Sequence, residues 1–257
     1  MNDVSLSILL PALAAGLLVA ATHVPLGMQV LSRGIIFIDI AIAQIAGVGV
    51  VFADFLGFEA QGVAVQLSAL AAALSGAMLL TWTERRWPDV QEAIIGVVFI
   101  LAATAQILIL AGNPHAGEHL KDLLVGQILW VDGAQLMVVA LLTAVVLALW
   151  FGPARRGGHL AFYLLFGLSV TAAVQLVGVY LVFATLIIPA LATRRSAKLR
   201  LVKAYLLAFV GYALGLILSA WQDLPSGATV VWALAAVGVV VFALDGRSGV
   251  KAPAIVG

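Results

Sequence analysis

Long apolar runs, broken by short charged or glycine- and proline-rich stretches, set the pattern of this chain. The runs fall near residues 6–26, 35–57, 62–82, 92–111, 134–152, 160–176, 178–192, 203–221 and 227–244. Most approach the roughly 20 residues that cross a bilayer as a helix. The pattern therefore predicts an all-α, polytopic membrane protein with eight or nine transmembrane helices. The seventh run is short and follows the sixth tightly at Val177 and Gly178, so it is either a further span or a broken, re-entrant segment. No basic residue precedes the first run and no small-residue cleavage site follows it, which predicts a retained helix and not a signal peptide. No soluble domain or low-complexity linker interrupts the runs, and residues 1–257 read as a single transmembrane domain.

Composition agrees with the pattern. Of 257 residues, 64% are hydrophobic and 10% charged, against about 25% charged in ordinary soluble domains. There is no cysteine, so disulfides and thiolate metal sites are excluded.

Charge supplies a direction, because cytoplasmic loops of membrane proteins concentrate Lys and Arg. With the amino terminus outside and the carboxyl terminus cytoplasmic, Arg33, Arg85, Arg86, Arg155, Arg156, Arg194, Arg195, Lys198, Arg200, Lys203, Arg247 and Lys251 are all cytoplasmic. Of the 13 basic residues, Lys121 alone is left outside. The outer face is mildly acidic, with Asp3, Asp54, Glu59, Glu118, Asp122, Asp132 and Asp223, which suits cations or a basic partner surface, or serves only solubility. No Gly-Lys pair occurs, so no P-loop can cradle ATP phosphates, and any ATP must be handled by another subunit.

The stretch GVYLVFATLIIPALATRRSAKLR, residues 178–200, carries the densest signal. Pro189 lacks an N–H and its ring crowds the carbonyl of Thr185, which predicts a kink or break there, with residues 190–193 starting a second short helix. Cations follow at Arg194, Arg195, Lys198, Arg200 and Lys203. One reading is a proline-kinked span with a positive anchor. The other is a short helix along the cytoplasmic face, docking into a groove on a soluble partner.

At this point the chain resembles the integral membrane permease subunit of ABC-type importers for zinc, manganese or iron. The resemblance rests on EAIIGVVF (92–99), LLVGQILWV (123–131), VGVYLVFATLIIPALATR (177–194) and DLPSGATVV (223–231), in that order along the chain. It implies an ABC importer permease fold like that of cobalamin importers. It further implies a homodimer, two copies of a separate ABC ATPase, an extracytoplasmic metal-binding receptor protein, and the inner membrane of a prokaryote. Ile187, Ile188, Pro189, Arg194, Arg195 and Lys198 would then belong to a coupling helix over 187–200 that receives the ATPase stroke. A permease is not an enzyme, holds no cofactor of its own, and has no nucleic acid among its partners; its transported metal is expected to be zinc.

Asp39 and Gln44 interrupt the second apolar run, FIDIAIAQIAGVG. Ionisable groups inside spans are costly and mark function by default, so Asp39 is a candidate translocation residue, and Gln44, deeper in the span, either joins it there or hydrogen-bonds across helices without a transport role. Asp39 lies six residues after Arg33, and the alternative is an ion pair with it or contact with interfacial water. The family pattern carries an aspartate, then a histidine four residues later, then a glycine five further on. With Gly49 matched to that glycine, Gln44 takes the histidine position and Asp39 falls one residue early, a rotation of about 100° on a helix. A glutamine carbonyl is a weaker zinc or manganese ligand than imidazole, so location carries over and coordination does not. Gln106 and Gln175 are further polar groups at membrane depth, lining the path or bridging helices.

Outside, GNPHAGEHLKD offers a helix start at Asn113 and Pro114. His115 and His119 would share a face at i, i+4 spacing, with Asp122 three residues on, as a metal-accepting site. The alternative is an exposed polar loop. His23 and His159 are expected near cytoplasmic ends of spans, without a role. A rival class, a proton-driven secondary transporter titrating Asp39, predicts paired internal repeats, which are not found. An intramembrane enzyme would need a motif such as H-E-x-x-H, which is absent.

Overall fold

The computed structural model describes residues 3–58, 62–110, 124, 126, 128–152, 158–196 and 199–247. These form nine α-helices: α1 (Asp3–Arg33), α2 (Ile38–Phe55), α3 (Val63–Arg86), α4 (Gln91–Ile109), α5 (Gly133–Phe151), α6 (Gly158–Val177), α7 (Val179–Ala192), α8 (Arg200–Gln222) and α9 (Ser226–Arg247). Short 3-10 turns at Pro88–Val90 and Ile128–Trp130 precede α4 and α5. Eight of the helices are long and apolar enough to cross a membrane, and α7 is not. At 14 residues, α7 is about 21 Å long, short of a hydrocarbon core of about 30 Å. The nine apolar runs are thus nine helices, the seventh the short one.

Among the described residues α2, α6 and α7 form the interior. In α2 and α6, 61% and 67% of the apolar window is buried, against 11% in α4 and α5, which ride on the rim. α2 packs on α3 and α4, α3 on α6, α1 on α5, α7 and α8, and α9 on α7 and α8. Small residues set these approaches, as in membrane bundles generally. Gly27 of α1 crosses α7 so closely that a Cβ there would lie 2.0 Å from the Leu186 carbonyl oxygen.

The α6–α7 junction is a single residue, Gly178, at φ +79°. Gly126, at φ +70°, is laid against it: a Cβ on Gly126 would fall 2.2 Å from the Val177 carbonyl carbon and 2.3 Å from the Gly178 nitrogen. Only glycine meets both the left-handed backbone and the close approach. Ile128, just beyond, is 1% exposed and belongs to the core. The stretches around 123–131 and 177–194 therefore meet in space.

Prolines sit inside helices without ending them, Pro11 and Pro25 in α1 and Pro189 in α7. α1 continues through Pro25 to Arg33, and the carbonyl of Ala21, left without its helical donor, accepts from the Tyr205 hydroxyl of α8 at 2.9 Å. This is the kind of replacement donor that lets membrane helices carry proline. α7 likewise continues through Pro189 to Ala192, and residues 193–195 form a turn. The break expected at Pro189, with a separate helix after it, is not formed among the described residues. Both flanks of α7 are clamped, by α1 and by α9, and packing keeps the helix continuous past the missing hydrogen bond.

Candidate functional site

Asp39 occupies the first turn of α2. The start of that helix is fixed against the start of α4, where the Phe37 N–H donates to Glu92 Oε1 at 3.2 Å. The Asp39 side chain is turned inward, 1% exposed, and neither carboxylate oxygen has a hydrogen-bond partner among the described residues. Both structural alternatives are thereby corrected. Burial denies it interfacial water, and Arg33 is engaged elsewhere, its Nη1 3.7 Å from Glu84 Oε1 and its guanidinium 4.3 Å over the Phe162 ring. A carboxylate withdrawn from water without a partner is expensive, and stability gives no reason to keep it.

Gln44 and Gln106, also polar and at membrane depth, are brought together. Gln106 Nε2 donates to Gln44 Oε1 at 2.7 Å and to the Gln44 carbonyl at 3.1 Å, joining α2 to α4. Gln106 is 2% exposed, and Gln44 is half-buried. The pair does not share a face with Asp39: five residues turn an α-helix by about 140° and advance it about 7.5 Å. Gln175 is exposed on α6.

One end of the bundle carries a polar network that sequence reasoning missed. His159, at the start of α6, places Nδ1 2.6 Å from Glu84 Oε2, at the end of α3, and Arg33 reaches the other oxygen. Beneath this, Gln91 Nε2 donates to Tyr163 Oη at 3.2 Å, while its Oε1 accepts from Thr83 Oγ1 at 2.9 Å. The partners are 8 to 75 residues apart in sequence, and no local pattern announces them. His23 was expected near a helix end. Because α1 runs on to Arg33, His23 instead lies ten residues inside, fully buried, with Nδ1 3.0 Å from the Val19 carbonyl.

At the same end, α7 runs into the cation-rich turn. Pro189 is buried and Ile187 and Ile188 are half-buried, so these three are not a free docking surface. Arg194 and Arg195 are exposed, flanked by Leu191 and Leu199 at 42% and 70% exposure. Arg200 Nη2 donates back to the Ala190 carbonyl at 3.2 Å, and Thr193 Oγ1 to Pro189 O at 2.7 Å, closing the turn. Lys198, and the outer residues His115, His119 and Asp122, lie outside the described residues. Among the described residues no group of three or more His, Asp or Glu could hold a metal ion.

An all-helical bundle of spanning helices, with an unanswered carboxylate inside and a basic turn at one end, is a membrane transport protein of the permease class. The profile of the ABC 3 transport family matches residues 5–156 and 156–245, and the chain belongs to that family. It is thus a metal-importer permease subunit in the prokaryotic cell membrane and not an enzyme; ATP hydrolysis resides in a separate subunit. Family membership removes the proton-driven alternative. The chain is similar to the manganese transport system membrane protein MntC of Halalkalibacterium halodurans, 26% identical over 269 residues covering 96% of this chain and 90% of that protein. In fold it is similar to PsaBC from Streptococcus pneumoniae solved with a Fab, at TM-score 0.70 and 21% identity over 91% of this chain and 89% of that one. A second structure, an inward-facing transporter described as of metal-chelate ABC type, aligns at TM-score 0.62 and 17% identity over 93% and 86%.

Proposed function

We propose that two copies of this chain form the conduit of a manganese importer, loaded from outside by a receptor protein and driven by ATPase subunits at the turn after α7. The observation that carries the conduit is Asp39, buried on the interior helix with neither oxygen bonded. A passing cation would supply the missing charge, and the Gln44–Gln106 bridge holds α2 in register beside it. Symmetric ATPase closure suits a compact membrane domain paired with itself through a two-fold axis. The polar end of the bundle, with Arg33, Arg194, Arg195 and Lys203, faces the cytoplasm under the positive-inside rule.

Manganese is favoured over zinc on two grounds. The carboxyl of Asp39 on α2 is an oxygen donor, which suits manganese, whereas imidazole suits zinc; and the curated relative is named for manganese. The second reading, zinc, is favoured by His115 and His119 at helical spacing in the outer loop. Uptake by the reconstituted complex, with radiolabelled manganese and zinc in separate vesicles, decides between them. Manganese accumulation that depends on ATP and receptor is expected; accumulation of zinc alone establishes the second reading instead.

A further inference from the structure

Two residues of α9 that no sequence motif singled out hold the cation-rich turn. Arg194 and Arg195 place their guanidiniums 5.7 and 4.5 Å from the centre of the Phe242 ring, within cation–π range. Three residues on, Asp245 accepts from both Ser196 Oγ and Lys203 Nζ. One carboxylate, 9% exposed, therefore ties the end of the turn and the first turn of α8 to α9. Lys203 Nζ also donates to Ser196 at 3.2 Å. A helical turn earlier, a Cβ on Gly238 would lie 2.8 Å from Ile188 Cγ2 of α7. Positions 238, 242 and 245 recur at i+4 and i+3 and so line one face of α9, and that face meets α7 and its turn.

A push on this turn is thus delivered to three helices at once. α7, unbroken through Pro189, runs from the turn to Gly178, where the Gly126 segment is packed. We propose that Phe242 and Asp245 are positioning residues for ATP coupling: they fasten the turn to α9, so that the ATPase stroke moves α7 and α9 as one lever. The inference rests on the reading of that turn as the ATPase contact.

The test uses the full complex of permease, ATPase subunits and receptor in vesicles, with manganese as the probe. Phe242→Ala and Asp245→Asn should retain the ATPase subunits on affinity purification, while manganese moved per ATP falls about tenfold. Phe242→Tyr, which keeps the ring face, should restore the ratio. An unchanged ratio in both Phe242→Ala and Asp245→Asn overturns the inference. The chain has no native cysteine, so Ser196→Cys with Asp245→Cys, bridged by a short bis-methanethiosulfonate that forms a reducible disulfide at each thiol and releases methanesulfinate, gives an independent arm. Coupling should be low unlinked and recover on linking; abolition of uptake by the link means that the turn must part from α9, and also overturns it. Failure of the underlying reading is separate: Arg194→Glu with Arg195→Glu would then leave ATPase binding intact, whatever Phe242 does.

Discussion

The seam that α1 makes with α7 and α8 treats buried polar atoms differently from the seam that α2 makes with α4. On the first, the carbonyl freed by Pro25 is answered by Tyr205 at 2.9 Å, and the Thr185 and Tyr212 hydroxyls answer each other at 2.8 Å. His23 Nε2 is left open, and an unmade bond to a ring nitrogen costs far less than an unmatched carboxylate. On the second, Gln44 and Gln106 answer each other, but Asp39 is answered by nothing among the described residues. The bundle supplies partners where a buried polar group would otherwise weaken it, so an acidic group left without one is retained for something other than stability.

Substitutions can break this contrast, the largest effect first. Gly27→Val drives a side chain into the Leu186 carbonyl and should lower stability by about 3 kcal/mol or more, read as loss of monodisperse protein or a steep fall in unfolding temperature. Gln106→Leu strips Gln44 of its side-chain partner and should cost about 1–3 kcal/mol, again as a lower unfolding temperature, with uptake per folded complex close to the parent. Smallest is Tyr205→Phe, which leaves the Ala21 carbonyl without a donor and should cost about 0.6–1.7 kcal/mol. Were Gln106→Leu to spare stability and abolish uptake, the glutamine pair would join Asp39 on the functional side of the contrast.

Much of the fold was legible because its signal is local. Nine apolar runs became nine helices, and the brevity of the seventh was visible in its length alone. The misreadings came where a distant partner overrides a local rule. Pro189 reads as a kink or break, yet α7, clamped by α1 and α9, continues past it, and α1 runs through Pro25 because its freed carbonyl at Ala21 is met by a hydroxyl 184 residues away. His23 was misplaced for the same reason, since α1 did not end where its apolar run did. At the candidate site, the position of Asp39 and its cost were legible. That Arg33 would turn to Glu84 and Phe162 was not, because those partners arrive from α3 and α6. Phe242 and Asp245 look in sequence like the ordinary end of a span, and only packing assigns them to the turn.

The central claim is that Asp39 serves conduction and not folding. It is tested most directly by Asp39→Asn in the reconstituted complex, with manganese uptake and unfolding temperature measured on the same preparation. Uptake should fall at least about tenfold, a barrier change of about 1.4 kcal/mol, while the unfolding temperature holds or rises, since the buried acidic group makes no hydrogen bond that the amide would lose. Uptake equal to the parent, or a marked loss of stability in its place, would contradict the claim.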